Sequence, residues 1–274
     1  MSKYQFRGEA KTLHDILEAK GASRKLSVVT CYDSAFARLI DRTPIDIVLV
    51  GDSLGNVMMG YDDTVKVTLD DMIHHTACVS RVLQKPFLVA DMPFFSYKVS
   101  TTQALESSAR LVQEGGAQAV KLEGGKEIAE SVEAITKAGI PVMGHLGLTP
   151  QSVHTLGGYK VQGRGDQAEA RMLEDAKALE QAGAFAIVLE LIPSELAKKV
   201  SAAVKIPTIG IGAGNSCDGQ VLVLQDLLGF DDSFCPKFLK KYAQIGETTI
   251  SALCQFDKEV KSSEFPAAEH SFSE

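Results

Sequence analysis

The chain has 274 residues, 45% of them hydrophobic and 23% charged, with a net charge of −7. That length buries one large α/β core or two small ones, and the acidic balance offers no footprint for nucleic acid. No apolar run reaches the length of a membrane span, and the opening residues MSKYQFRGEAKTLHDILEAKG lack the apolar stretch of a secretory signal, so the expected location is the cytoplasm.

In chain order, a helix is expected first, over about residues 11–20. Short apolar runs then recur at Leu26 to Cys31, Asp46 to Gly51, Pro86 to Asp91, Gln118 to Glu123, Ile140 to His145, Ala186 to Glu190 and Pro207 to Ile211. They are apolar almost throughout, as parallel strands covered on both faces must be. The segments between them have helical character. Ser100 with Gln103 forms a capping-box pattern. Met172, Leu173, Ala176 and Leu179 make one apolar stripe, and Gly183 stands where a helix end wants a left-handed residue. GAQAVKLE and GAFAIVLE nearly repeat, as successive βα units would. An eighth strand is weakly indicated around Asp232 to Cys235. Sustained strand-helix alternation predicts a single-domain (β/α)8 (TIM) barrel spanning 1–274, with a flexible tail from about 262. A doubly wound sheet is disfavoured, because no G-x-G-x-x-G follows the first strand. The five cysteines (Cys31, Cys78, Cys217, Cys235, Cys254) form no C-x-x-C pair, which argues against a disulfide framework or a structural zinc.

The informative residues stand at the strand ends: Asp52 and Ser53, Asp91, Lys121 and Glu123, His145, and Glu190. In a barrel these ends open onto one face. Each has a bland alternative. Asp52 could cap a turn, Asp91 could belong to one, Lys121 and Glu123 could be a structural ion pair, His145 a core histidine and Glu190 a surface residue. Together they indicate a site. Oxygen donors with little histidine and no cysteine suit a hard cation such as Mg2+, with Asp52 and Asp91 as its direct pair and Glu123 bound directly or through water. Lys121 shares the inward face with Glu123 and can meet an anionic group. His145 can donate to the same anion, Ser53 can hold a carboxylate, and Glu190 is left as the candidate base.

The motifs TCYD, LVGDSLG, ADMPF, VKLEGG, MGHLGLTPQS, GGYKVQGR, VLELIP and IGIGAGN, in this order from about Lys11 to about Phe238, resemble the ketopantoate hydroxymethyltransferase family. The resemblance implies a (β/α)8 barrel that adds the one-carbon unit of 5,10-methylenetetrahydrofolate to 3-methyl-2-oxobutanoate. The product would be 2-dehydropantoate, made in the first step of pantothenate biosynthesis. It implies one Mg2+ per subunit on Asp52, Asp91 and Glu123. Substrate contacts would come from Asp52, Ser53, Asp91, Lys121 and His145, and Glu190 would be the proton acceptor. It also implies a homo-oligomer, taken as a decamer. Two rivals are other Mg2+/2-oxo-acid barrels of the isocitrate lyase and phosphoenolpyruvate mutase kind, whose KKCGH loop is missing here, and a non-catalytic barrel that only binds an oxo acid or folate.

Overall fold

The structure is a computed structural model, and it describes residues 10–272. Residues 1–9 and 273–274, with the ends of the expected single domain and tail, lie outside the described residues. Two compact units are present, Met1–Val223 and Leu224–Glu274.

The first unit is a closed barrel of parallel strands, paired in the order β1 to β8. They are β1 (Leu26–Thr30), β2 (Ile47–Val50), β3 (Phe87–Asp91), β4 (Ala119–Glu123), β5 (Val142–Gly147), β6 (Ala186–Glu190), β7 (Thr208–Ile211) and β8 (Gly219–Leu222). The helices are α1 (Leu13–Gly21), α2 (Ser34–Ile40), α3 (Leu54–Val57), α4 (Leu69–Ser80), α5 (Thr101–Gln113), α6 (Ala129–Lys137), α7 (Val153–Leu156), α8 (Asp166–Gln181) and α9 (Ser194–Ala203). The seven apolar runs read from the sequence become β1 to β7. The eighth strand is not at Asp232 to Cys235, where the chain only bends. It is Gly219–Leu222, which pairs with β1 through Leu26 opposite Gly219 and Val28 opposite Val221.

Local chemistry accounts for the helix boundaries. Thr12 and Thr68 open α1 and α4 with reciprocal capping boxes to Asp15 and Asp71. Ser100 caps α5 through the Gln103 N–H, but the Gln103 side chain accepts from Val99 N instead of closing a box. In α8, Met172, Ala176 and Leu179 are buried while Leu173 is only half-buried, and Gly183 takes φ +96° just beyond the helix. Inside the barrel, Val28, Ile47, Val89, Met143 and Val188 form one core, joined by Ile16 and Ala19 of α1. Burying side chains of this size contributes roughly 1.5–3 kcal/mol each.

The second unit holds α10 (Leu224–Leu227) and α11 (Ile245–Lys261). Among the described residues no helix is long and apolar enough to cross a membrane.

Candidate active site

Strand register assembles the site. Asp91 lies opposite Lys121 across β3 and β4, Glu123 opposite His145 across β4 and β5, and Gly147 opposite Glu190 across β5 and β6. Asp52 and Ser53 follow β2 at the turn into α3. The glycines here have a steric reason. At Gly51 a Cβ would come within 2.8 Å of Ser53 Oγ. Gly147, at φ +97°, would set a Cβ 2.2 Å from the Glu190 carbonyl oxygen, so only glycine lets the ends of β5 and β6 close together.

Asp52, Asp91, Lys121, Glu123, His145 and Glu190 form one contiguous network, and Ser53 stands beside Asp52 with Tyr32 as its partner. Lys121 Nζ is 2.7 Å from Asp91 Oδ1 and 4.0 Å from Glu123 Oε1. His145 places Nδ1 3.4 Å from Glu123 Oε1 and Nε2 3.2 Å from Glu190 Oε2. Asp91 Oδ2 accepts from the backbone N–H of Asp52 at 3.0 Å. Ser53 Oγ lies 2.9 Å from Tyr32 Oη, and the Tyr32 carbonyl is held by His75 Nδ1 at 2.7 Å. Asp52, Asp91, Lys121, Glu123 and His145 are all buried, whereas Ser53 and Glu190 are half-buried. The Asp52 side chain caps no helix, and Asp91 is the last residue of β3 and not part of a turn. The Lys121–Glu123 pair, both residues on β4, is the longest contact of the cluster at 4.0 Å, too loose to be a structural ion pair.

The electrostatics are unbalanced. Burial, then the charges of Asp91 and Glu123, hold the Asp52 carboxyl well above the usual range. Burial likewise raises Asp91, against the pull of Lys121. Burial would raise Glu123 too, but His145 and Lys121 outweigh it and bring it below the ordinary value. Burial and Lys121 oppose a charge on His145, and its contacts with Glu123 and Glu190 override them, raising it to about 9. The raised pKa favours the imidazolium near neutral pH, which meets both carboxylates as ion-pair contacts, with Lys121 Nζ 3.2 Å from Nδ1.

Asp91 Oδ1 and Glu123 Oε1 meet their neighbours as ion pairs and not as aligned hydrogen bonds. Asp52 Oδ1 accepts no hydrogen bond among the described residues. Four carboxylates against one ammonium and one imidazolium leave an excess of negative charge, and the available donors are oxygens. That set fits a divalent hard cation. No three of the described His, Cys, Asp and Glu side chains enclose a metal by themselves. The fit is thus to an ion held by a carboxylate pair, with water and substrate in its other positions.

The match to known proteins then decides the lineage. Residues 10–268 fit the family profile of ketopantoate hydroxymethyltransferase. The chain belongs to the ketopantoate hydroxymethyltransferase family. A Pelobacter propionicus protein named 3-methyl-2-oxobutanoate hydroxymethyltransferase is 53% identical over 262 residues, covering 96% of this chain and 97% of its own. A Syntrophus aciditrophicus protein of the same name is 52% identical over 268 residues, 98% of each chain. The family member described here is accordingly an enzyme, a transferase of the hydroxymethyltransferase type, and the reading as a binding protein falls. Among solved structures, a phosphonopyruvate hydrolase complex with oxalate and Mg2+ superposes with TM-score 0.62 at 11% identity, covering 95% of this chain and 93% of that one. A 2,3-dimethylmalate lyase gives 0.57 at 15%, covering 95% and 91%. At such identity these share the barrel.

Two residues of this hydroxymethyltransferase site had no sequence signal. Both are buried in the rim, where Gln151 bonds the Asp52 carboxylate and Tyr97 bonds Gln151 and the Glu123 backbone, yet neither segment carries a periodic pattern. His154 belongs to α7 and places Nε2 3.3 Å from Asp63 Oδ2, so the loops after β5 and β2 touch.

Proposed function

We propose that this enzyme transfers the one-carbon unit of 5,10-methylenetetrahydrofolate to C3 of 3-methyl-2-oxobutanoate, giving 2-dehydropantoate and tetrahydrofolate with uptake of water. The observation that carries the reading is the His145 bridge. One buried imidazolium contacts Glu123 on one side and Glu190 on the other, so a half-buried carboxylate is oriented beside a buried anionic rim. That is what proton abstraction next to a carbonyl requires.

Asp52 and Asp91 would hold Mg2+, and Glu123 would act at one remove, since Oε2 is taken by the Gln151 N–H at 3.0 Å. The ion supplies Lewis-acid polarisation of the 2-oxo acid when bound. Lys121 balances the charge beside Asp91. Ser53, whose Oγ lies 2.9 Å from Tyr32 Oη, would offer its hydroxyl to the substrate carboxylate. Glu190 would take the C3 proton, the carbon so freed would bond to the methylene carbon as that carbon's two C–N bonds to folate break, and water would supply the hydroxyl oxygen. His145 keeps Glu190 aimed. Self-association into a homo-oligomer, a decamer by family likeness, belongs to the same proposal. It is supported by α11, which has no buried residue and exposes Ile250, Leu253, Phe256 and Val260; light scattering checks it.

The test is proton NMR of 3-methyl-2-oxobutanoate in D2O with Mg2+. The C3–H signal disappears with wild type, and Glu190→Gln slows this by about 10²–10⁴-fold. Undiminished exchange in the variant would move the base elsewhere.

A further inference from the structure

The Gln151 side chain is a buried rim group to which the proposed chemistry gives no part. It is 2% exposed and sits in the 3-10 turn Pro150–Ser152 after β5. Its backbone N–H donates to Glu123 Oε2 at 3.0 Å. Its side-chain Nε2 donates to Asp52 Oδ2 and to the Met92 carbonyl, both at 2.9 Å. Its Oε1 accepts from Tyr97 O–H at 2.8 Å. One residue thus touches the ends of three strands, β2, β3 and β4.

The orientation of the amide is forced. Turned over, Oε1 would face the Asp52 carboxylate and the Met92 carbonyl, leaving three acceptors together without a proton. Tyr97 secures the other end. It is 1% exposed, and its oxygen also accepts the Glu123 N–H at 3.1 Å. Buried networks of this kind hold a unique geometry only while every member is satisfied. With Oδ2 of Asp52 taken by Gln151, Oδ1 is the oxygen left for a ligand.

We propose that Gln151 is a positioning residue that, pinned by Tyr97, holds Asp52 so that Oδ1 is presented to the divalent cation. The inference rests on the reading that Asp52 and Asp91 hold that cation. Partners standing behind a ligand typically change metal affinity by about 10–100-fold when lost. Gln151→Glu keeps the shape but replaces the donor with an oxygen facing Asp52. Tyr97→Phe keeps the ring and removes the pin, together with the hydroxyl's bonds to the Glu123 backbone.

The experiment is titration with Mn2+, with free ion read by electron paramagnetic resonance. Wild type, Asp52→Asn, Gln151→Glu and Tyr97→Phe are compared, each also melted without metal. Wild type takes up Mn2+ and Asp52→Asn does not. Gln151→Glu binds about tenfold or more weakly and Tyr97→Phe a few-fold more weakly. A merely structural role would lower melting temperatures and leave affinity of the folded protein unmoved. That result, with wild type and Asp52→Asn behaving as stated, overturns this inference alone. Wild type without Mn2+ uptake, or Asp52→Asn binding normally, overturns the cation reading and the inference with it. Should Gln151→Glu not fold, Tyr97→Phe decides: wild-type affinity there overturns the proposal.

Discussion

Asp46 and Asp52 stand at opposite ends of β2, 5% and 4% exposed, and they live in opposite conditions. Asp46, before the strand, is met by Arg24 Nη1 at 2.8 Å, Lys11 Nζ at 3.3 Å and the Ser27 N–H at 3.0 Å. Burial alone would raise its pKa, but the Ser27 N–H, Arg24 and Lys11 more than cancel that and lower it. Asp52, after the strand, is met by Gln151 and by like charges, and is pushed up. The same residue type on the same strand is neutralised at the end that closes the barrel and left unneutralised at the end that opens it. The lesson is that a buried charge is functional evidence only when the fold leaves it unpaid by its own cations.

The largest effect that can break this contrast is at Asp52. Asp52→Asn is expected to lower kcat by roughly 10²-fold or more, by analogy with losing a fixed electrostatic group in a site. It should not destabilise the fold, because an amide still accepts from Gln151 while repulsion from Asp91 and Glu123 goes. The pH sign agrees. A carboxyl raised in the folded state contributes stability at low pH that is lost as pH rises through its folded pKa, so the variant's advantage in melting temperature grows from acid to neutral pH. A clear loss of stability at neutral pH would put Asp52 in the same class as Asp46.

Asp46→Asn should do the reverse. Removing the carboxylate strands Arg24 and Lys11 and leaves a buried Ser27 N–H badly matched, costing about 2 kcal/mol. The pair partners are themselves a third or more exposed, so the cost stays below that of a fully buried break. Catalytic constants should stay within about twofold of wild type, since this end of a barrel serves stability. Wild-type Asp46 contributes above its unfolded pKa and loses that contribution as pH falls through its lower folded pKa, so the gap between wild type and variant closes in acid. Urea unfolding at two pH values beside a steady-state assay reads both. A variant of normal stability but poor activity would sink the division of labour.

What the sequence made legible follows the same division. Asp91, Glu123 and Glu190 terminate apolar runs, and a charge that breaks such a run is visible without coordinates. The barrel was readable because β1 to β7 are uniformly apolar. β8 was not, because it is only Gly219–Leu222, with a glycine first and Gln220 exposed, too short and too polar to stand out from the glycine-rich loop before it. Gln151 and Tyr97 are uncharged loop residues whose role depends on contacts 99 and 54 positions apart; no local pattern encodes that. The one available hint was Pro150, which starts the turn that delivers the Gln151 N–H to Glu123.

The smallest predicted effect asks whether a raised carboxyl is by itself a mark of function. Asp226, in the unit Leu224–Glu274, is half-buried, and burial followed by the charge of Asp231 pushes its pKa up to about 6, against Lys241. It has the raised acidity of Asp52 but not the company: no lysine–histidine–carboxylate cluster surrounds it among the described residues of its unit. The folded state holds a proton that the unfolded chain gives up near 3.8, so this group supports folding below that value and loses its contribution as pH rises through about 6. Asp226→Asn should therefore stabilise the protein near neutral pH by about 1 kcal/mol, a figure discounted for solvent screening at a partly exposed site. The gain should fade as pH drops toward 4, with kcat unchanged throughout. If instead activity falls while stability rises, as at Asp52, then a raised carboxyl tracks function even without its cluster, and the contrast between the two ends of β2 would need a cause other than company.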